Sequence, residues 1–235
     1  MTAITERRPG VRSRLWGQLG MGIVKAGTFS LTTRSWSGTG NIPSVGGFIV
    51  AANHIGEFDP LVLAHFMLDA GRWPRFLTKS SLFDVPLLGS LLGQLRQIPV
   101  TRGGAGSRAA LDTAAEAVRA GHGVVVYPEG TTPKDGDLTL RRGKPGIARL
   151  FLATGAPVIP VATWGPQEVF DPRTHTWKIR GRTRVAVHAG EPVDLGTWTG
   201  ATPTAGNLRT ITADIMAAVD RQLSVVQAQH RETAS

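Results

Sequence analysis

Ala51-Ala52-Asn53-His54-Ile55-Gly56-Glu57-Phe58-Asp59-Pro60 joins two patterns of different period. Before its turn, Gly47-Phe48-Ile49-Val50-Ala51-Ala52 is an unbroken apolar β run; after it, Leu61 to Ala70 has the composition of an apolar helix. Strand, tight turn and helix in that order are the repeating unit of an α/β fold, so this junction decides the class. His54 and Asp59 sit within the turn. On an ideal helix their five-step spacing would put the side chains about 140° apart, so they meet only if the chain bends between them. Gly56 permits a bend, and Asp59-Pro60 reads as a helix N-cap followed by Pro at the first helical position. The turn then folds a carboxylate back onto an imidazole. That contact fixes the ring's tautomer and leaves its second nitrogen free as a base. The plainer reading gives Asp59 only the cap and makes His54 a polar turn residue, so the rest of the chain has to decide.

The 235 residues suit one sizeable domain, alone or with an appendage. With 41% hydrophobic and 18% charged residues, the chain has enough apolar surface for a core and too little charge for disorder. A net charge of +9 favours anionic partners: nucleic acid, phosphorylated ligands or an acidic membrane surface. Arg supplies most of the positive charge, and its planar fork suits phosphate. With no Cys, disulfides, thiolate metal sites and a Cys nucleophile are excluded. The basic N-terminus lacks the compact apolar run and small-residue cleavage site of a signal peptide. The long apolar stretch Leu150 to Gln167 is interrupted by Gly155, Pro157, Pro160 and Gly165, which argues against a membrane span. These features point to a cytoplasmic chain able to rest on a membrane.

Residues 1–10 read as a basic tail. From Val11 to about Thr33, Leu15, Trp16, Leu19, Ile23, Val24 and Ala26 recur near helical period among Arg12, Arg14, Lys25 and Arg34. Such a helix either lies in a lipid interface or packs on the core, and Gly17, Gly20, Gly22 and Gly27 weaken it. Residues 1–40 therefore read as a basic tail with an amphipathic helical segment, and 41–235 as the main domain. Further strands are expected at Arg75–Thr78, within Leu91–Val100, and at Val124–Tyr127, Val158–Ala162 and Arg184–His188. Helices are expected at Leu111–Ala120, Ile147–Ala153 and Leu208–Val226. The alternation predicts an α/β fold, a largely parallel mixed sheet with helices on both faces.

Ligands of such sheets bind beyond the carboxyl ends of the strands. His54, Lys79, Arg102 and the turn Glu129-Gly130-Thr131 each follow directly after a predicted strand. One edge thus receives a candidate base, two cations and a turn with exposed amides, a set suited to a ligand bearing phosphate. The rigid Pro128-Glu129-Gly130 turn suggests that the Glu129 carboxylate bonds nearby amides instead of moving protons. Neither Gly-x-Ser-x-Gly nor Gly-x4-Gly-Lys-[Ser/Thr] occurs, which argues against a serine hydrolase and a P-loop. The remaining histidines lack metal-ligand spacing. Gly104-x-Gly106-x-x-Ala109 follows a strand and opens a helix, the pattern of an NAD(P)-binding oxidoreductase, but that reading accounts for neither His54 nor Asp59. Charge alone would admit a nucleic-acid binder, yet no recognition element is present, so no nucleic acid is expected as partner.

Taken in order, the motifs resemble those of the 1-acylglycerol-3-phosphate acyltransferase family. Asn53-His54 with Asp59-Pro60 stands where that family has His-x4-Asp. Lys79-Ser80-Ser81-Leu82-Phe83 with Pro86 and Gly89 is similar to its Lys-x-x-Leu-x-x-x-Pro-x-x-Gly segment. Gly93 to Arg102 is similar to its second motif, Tyr127-Pro128-Glu129-Gly130-Thr131 to its third and Val158-Ile159-Pro160-Val161 to its fourth. The resemblance runs from about Gly47 to Asp194. It implies transfer of a fatty acyl group from acyl-CoA or acyl-ACP to the sn-2 hydroxyl of lysophosphatidic acid, forming phosphatidic acid, with no cofactor and no metal. His54 would then be the base and Asp59 its orienting carboxylate. Asn53, Lys79, Arg102, Glu129, Gly130 and Thr131 would line the substrate site, with the cations and the Gly130-Thr131 turn on the acceptor phosphate. The implied setting is an anionic membrane surface at the cytoplasmic face, held peripherally. One departure stands out: the third motif usually continues to Arg, and here the next residue is Thr132. Arg141, Arg142 or Lys144 would have to replace that cation, or the acceptor would be a different lysophospholipid or a glycolipid.

Overall fold

The computed structural model describes residue 22 and residues 25–101, 103–132, 138–178 and 181–232. Residues 25–31 are helical and lead into β1 (Thr32–Ser37). Then follow β2 (Phe48–Ala52), α1 (Asp59–Asp69), β3 (Pro74–Lys79), α2 (Leu88–Gln94), β4 (Ile98–Val100), α3 (Gly104–Arg119) and β5 (Gly123–Val126). The chain continues through α4 (Gly146–Thr154), β6 (Val158–Trp164) and a single helical turn, Pro166–Val169. A short hairpin, β7 (Phe170–Asp171) and β8 (Thr176–Trp177), precedes β9 (Thr183–Ala189) and the long α5 (Ala205–Glu232).

Seven strands form one sheet in the order β1-β9-β6-β2-β5-β3-β4. All neighbours are parallel except β6 and β9. β2 lies between β5 and β6, and all five of its side chains are buried, as the unbroken apolar run requires of a strand covered on both faces. Ile49, Ala51, Val124 and Val126 face one way, into a core closed by α3, α4 and α5. Phe48, Val50, Ala52 and Val125 face the other, onto Val62, Leu63, Phe66 and Met67 of α1. Gly47 has a packing reason, since a Cβ there would stand 1.8 Å from the Val118 carbonyl oxygen at the end of α3. The expected α/β class, mixed sheet and two helical layers are therefore present.

Three local expectations give way. The helical pattern read to Thr33 ends at residue 31, and Thr32–Ser37 is strand β1. An edge strand needs only one neighbour and tolerates the polar sequence Thr-Thr-Arg-Ser-Trp-Ser, which hides it from hydropathy. The strand expected within Leu91–Val100 is confined to Ile98–Val100, and Leu91 to Gln94 belongs to α2, because a short apolar run does not distinguish the two states. α3 begins at Gly104, well before Leu111: Gly103 and Gly104 take φ of 99° and 45°, so the glycines start the helix instead of delaying it. The basic tail, residues 1–10, lies outside the described residues, as does all of the N-terminal amphipathic pattern except residues 22 and 25–31. Among the described residues no helix is long and apolar enough to cross a membrane.

Because β2, β3, β4, β5 and β6 run the same way, their carboxyl ends share one edge. β1 and β9 run oppositely, so their first residues lie at that edge too.

Candidate active site

The chain leaves β2 through Asn53, whose side chain is 1% exposed. Its amide nitrogen donates to the Thr163 carbonyl (3.0 Å) and its oxygen accepts from the Thr163 N–H (2.8 Å). This two-way clamp ties the end of β2 to β6 and spends both ends of the amide on backbone. Asn53 thus positions the next residue, and the structure does not present it to a ligand.

His54 follows. Its backbone N–H donates to Glu129 Oε1 at 2.8 Å. Its Nδ1 lies 3.1 Å from Asp59 Oδ2, and the same oxygen accepts the N–H groups of Ile55 (2.6 Å) and Gly56 (2.9 Å). The bend expected at Gly56 is therefore real, and the carboxylate holds it closed. The cap assignment needs correction: Phe58 is the N-cap, Asp59 is the first helical residue, and its carboxylate turns back onto the preceding loop. A carboxylate there still gains from the positive end of α1. Asp59 is fully buried and the His54 side chain is 17% exposed. With Nδ1 donating to Asp59, Nε2 carries the free lone pair, and it makes no hydrogen bond to a described residue.

The imidazole lies flat on Tyr127, with ring centroids 4.1 Å apart and planes 17° from parallel; Tyr127 in turn stacks on Phe76 at 6.2 Å. Tyr127 follows β5 and packs with the α1-facing core, so it supports the ring from the strand next to β2. Its hydroxyl and Asp59 Oδ1 are both buried and make no hydrogen bond. Burial pushes the phenol pKa well above its usual range, and the Asp59 charge adds to the shift. In the sequence Tyr127 opens the third motif with no role evident of its own. Only the pairing of β5 with β2 reveals one, since register sets Tyr127 beside the end of β2.

Glu129 is 7% exposed. Its Oε1 takes the His54 N–H and its Oε2 the Arg141 N–H at 3.1 Å. Burial raises its pKa, opposed by those two amide bonds. Both oxygens hold backbone, as the rigid turn suggested, and the residue braces His54 against the 138–145 loop. Gly130 has φ of 75°, and its N–H donates to the Tyr127 carbonyl at 3.0 Å. A Cβ on Gly130 would lie 2.7 Å from Lys144 Nζ, so the lysine ammonium rests on the turn itself. The Lys144 N–H also donates to the Pro128 carbonyl at 2.9 Å. Thr131 is half-buried beside it, Lys79 is exposed at the end of β3, and Arg142 is exposed in the loop. Arg102 lies outside the described residues.

A buried carboxylate holding one imidazole nitrogen, with the other nitrogen free at a strand edge flanked by cations, suits proton removal from a substrate hydroxyl. The chain belongs to the acyltransferase family, whose model matches residues 34–164. It is similar to the 1-acyl-sn-glycerol-3-phosphate acyltransferase of Borreliella burgdorferi, with 31% identity over 135 residues covering 57% of this chain and 52% of that one. The protein of the same description from Bacillus subtilis shares 30% over 126 residues, covering 54% and 60%. The chain thus spans about half the length of the curated relatives it matches. Its fold is that of the 1-acyl-sn-glycerophosphate acyltransferase PlsC from Thermotoga maritima, with a TM-score of 0.62, 24% identity, and coverage of 92% of this chain and 79% of that one.

This membership replaces the dinucleotide reading. β4, before the Gly104-x-Gly106 turn, is the sheet's last strand, and a Cβ on Gly106 would meet the Thr101 side chain at 2.8 Å, so that glycine serves packing. Glu129, twenty positions past Ala109, where a dinucleotide-binding fingerprint has its acidic residue, is occupied by two amides.

Proposed function

We propose that this protein transfers a fatty acyl group from an acyl thioester, acyl-CoA or acyl-ACP, to the sn-2 hydroxyl of lysophosphatidic acid, forming phosphatidic acid. The observation that carries the proposal is the 3.1 Å contact of His54 Nδ1 with a fully buried Asp59, which leaves Nε2 free at the carboxyl edge of the sheet. Nε2 takes the hydroxyl proton as the oxygen attacks the thioester carbonyl. The C–O bond forms, the C–S bond breaks, and the imidazolium returns the proton to the departing thiolate. Asp59 stabilises that imidazolium in the way a triad carboxylate does, but here the nucleophile is the substrate, so no acyl-enzyme forms. Tyr127 and the Glu129 brace hold the ring in place, which lowers the entropy cost of alignment.

The acceptor phosphate is assigned to Lys144, with Lys79, Arg102 and the Gly130-Thr131 turn. Lys144 takes the part of the Arg absent after Thr131, because its ammonium lies on the Gly130 turn, whereas Arg142 is exposed in the loop. The net charge of +9 and the basic N-terminal segment favour docking on an anionic membrane surface. Thr132 also supports a second reading, the same chemistry on another lysophospholipid. The test is thiol release from palmitoyl-CoA with and without lysophosphatidic acid, for the wild-type chain and His54→Ala. Acceptor-dependent release, abolished in a folded variant, supports the proposal. Release that needs a different lysolipid transfers it to the second reading, and near-normal turnover of the variant removes His54 as base.

A further inference from the structure

Residues 80–88 leave β3 and lead into α2. The segment is tightly built: the Phe83 N–H donates to the Ser80 carbonyl (2.9 Å), the Leu88 N–H to Pro86 (2.8 Å) and the Gly89 N–H to Val85 (2.8 Å). The middle bond closes a three-residue turn around Leu87, at φ 66° and ψ −50°, a rare and strained geometry for a residue with a Cβ. Gly89 seals the base, since a Cβ there would stand 1.9 Å from the Phe83 carbonyl oxygen. This strained frame presents Leu87 with 88% of its surface exposed. Leu82, Val85 and Leu88 are exposed beside it, with Asp84 among them. No core contact explains an apolar side chain held outward at a position that glycine would occupy without strain.

The placement of the other exposed apolar groups gives the loop a context. Nine large hydrophobic side chains are exposed among the described residues, and four belong to this loop. Phe29 precedes β1, Leu61 lies in the first turn of α1, and Trp177 packs edge-on against Phe58 at 5.9 Å. Leu61 and Trp177 lie at the carboxyl edge where His54 sits, whereas Phe29 lines a groove with His65 and Asp69 farther along α1, and Val45 and Val225 lie elsewhere. Lys79, exposed at the root of the loop, and Arg182, exposed just before the first residue of β9, bring cations to the same edge. Apolar tips spaced by cations match an acyl layer beneath anionic headgroups.

We infer that the Leu82–Leu88 loop enters the apolar layer of an anionic bilayer and sets the His54 edge against the membrane. The inference rests on the proposed reaction only in requiring a lipid substrate. A loop of this kind is independent of the N-terminal segment, and its strain is explained by what it delivers to the lipid.

The experiment measures partition of the full chain into vesicles of phosphatidylcholine with phosphatidylglycerol, for the wild type and a Val85→Ser, Leu87→Gly double variant. Partition of the variant falls by roughly tenfold or more, the scale for removing one fully exposed Leu from an apolar phase. Its Tm is undiminished, because glycine relieves the turn, and its turnover of a short-chain acceptor dissolved as monomer is that of the wild type. Equal partition overturns the inference, as does a lower Tm with equal partition, which would make the loop structural. Equal vesicle binding with loss confined to an acyl-ACP donor reassigns the loop to a carrier protein; a wild-type dimer that the variant breaks reassigns it to a second copy. A wild type that binds vesicles through the loop yet acylates no lysolipid overturns the proposed reaction and leaves the docking surface standing.

Discussion

Asp59→Asn isolates the contribution of the buried carboxylate. The substitution keeps the volume and an oxygen able to accept the Ile55 and Gly56 N–H groups, so the turn persists. What it removes is a negative charge 3.1 Å from His54 Nδ1. Opposite charges about 4 Å apart interact by about 4 kcal/mol at an effective dielectric near 20, and this favours only the imidazolium that forms during the reaction. Loss of that term lowers kcat by about 10³-fold. Any misplaced tautomer adds to the loss; the equivalent change in serine-protease triads costs about 10⁴-fold. The assay is single-wavelength thiol release at saturating donor and acceptor, with KM for both substrates and circular dichroism of the variant as controls. KM values stay within about threefold, since Asp59 is fully buried and touches no substrate. A folded variant that keeps kcat within about tenfold of the wild type would refute the carboxylate's role.

Tyr127→Phe keeps the stack on His54 and removes a buried hydroxyl that makes no hydrogen bond, so thermal melting shows equal or higher stability, by up to about 1 kcal/mol. Tyr127→Leu removes the stack and lowers kcat by roughly tenfold or more at unchanged KM, read in the same thiol assay. Gly130→Ala strains a φ of 75° and displaces Lys144 Nζ; urea titration shows a loss of about 1–2 kcal/mol, and KM for the phosphate-bearing acceptor rises while KM for the donor does not. His65 is buried between Thr28 (2.5 Å) and Arg34 (2.7 Å) at the floor of an open groove lined by Lys25, Ala26 and Phe29. Burial lowers its pKa below 6.5, reinforced by Arg34 and Lys25 and opposed by Asp69. The folded chain then binds fewer protons than the unfolded one, so stability present above about pH 6.5 is lost as pH falls below it. Urea midpoints at pH 7.5 and 5.5 show that loss, and His65→Gln reduces it; His188, lowered by burial too, retains the remainder.

Several features of the site were legible from residue order alone. Ala51 to Pro60 demanded a bend between His54 and Asp59, because neither a helix nor a strand brings those two side chains together at that spacing. The rigid Pro128-Glu129-Gly130 turn suggested a carboxylate bonded to amides, and Glu129 is so bonded. What composition could not show was which amides. His54 is close in sequence neither to Glu129 nor to Tyr127, and only the parallel register of β2 with β5 makes them neighbours. Asn53, given to the substrate site by the family resemblance, spends both ends of its amide on Thr163 of β6, far along the chain.

Local sequence by itself determined the α/β class, the strand-turn-helix junction and the arrival of His54, Lys79 and Glu129 at the ends of strands, since apolar period, glycine and proline act over a few residues. Tertiary structure alone decided that the polar Thr32–Ser37 is a strand, as an edge strand takes its state from β9 and not from its own hydropathy. It alone placed Lys144 on the Gly130 turn and Tyr127 under His54. Those contacts join segments distant in the chain, and their geometry is set by strand register and packing, which no local pattern encodes.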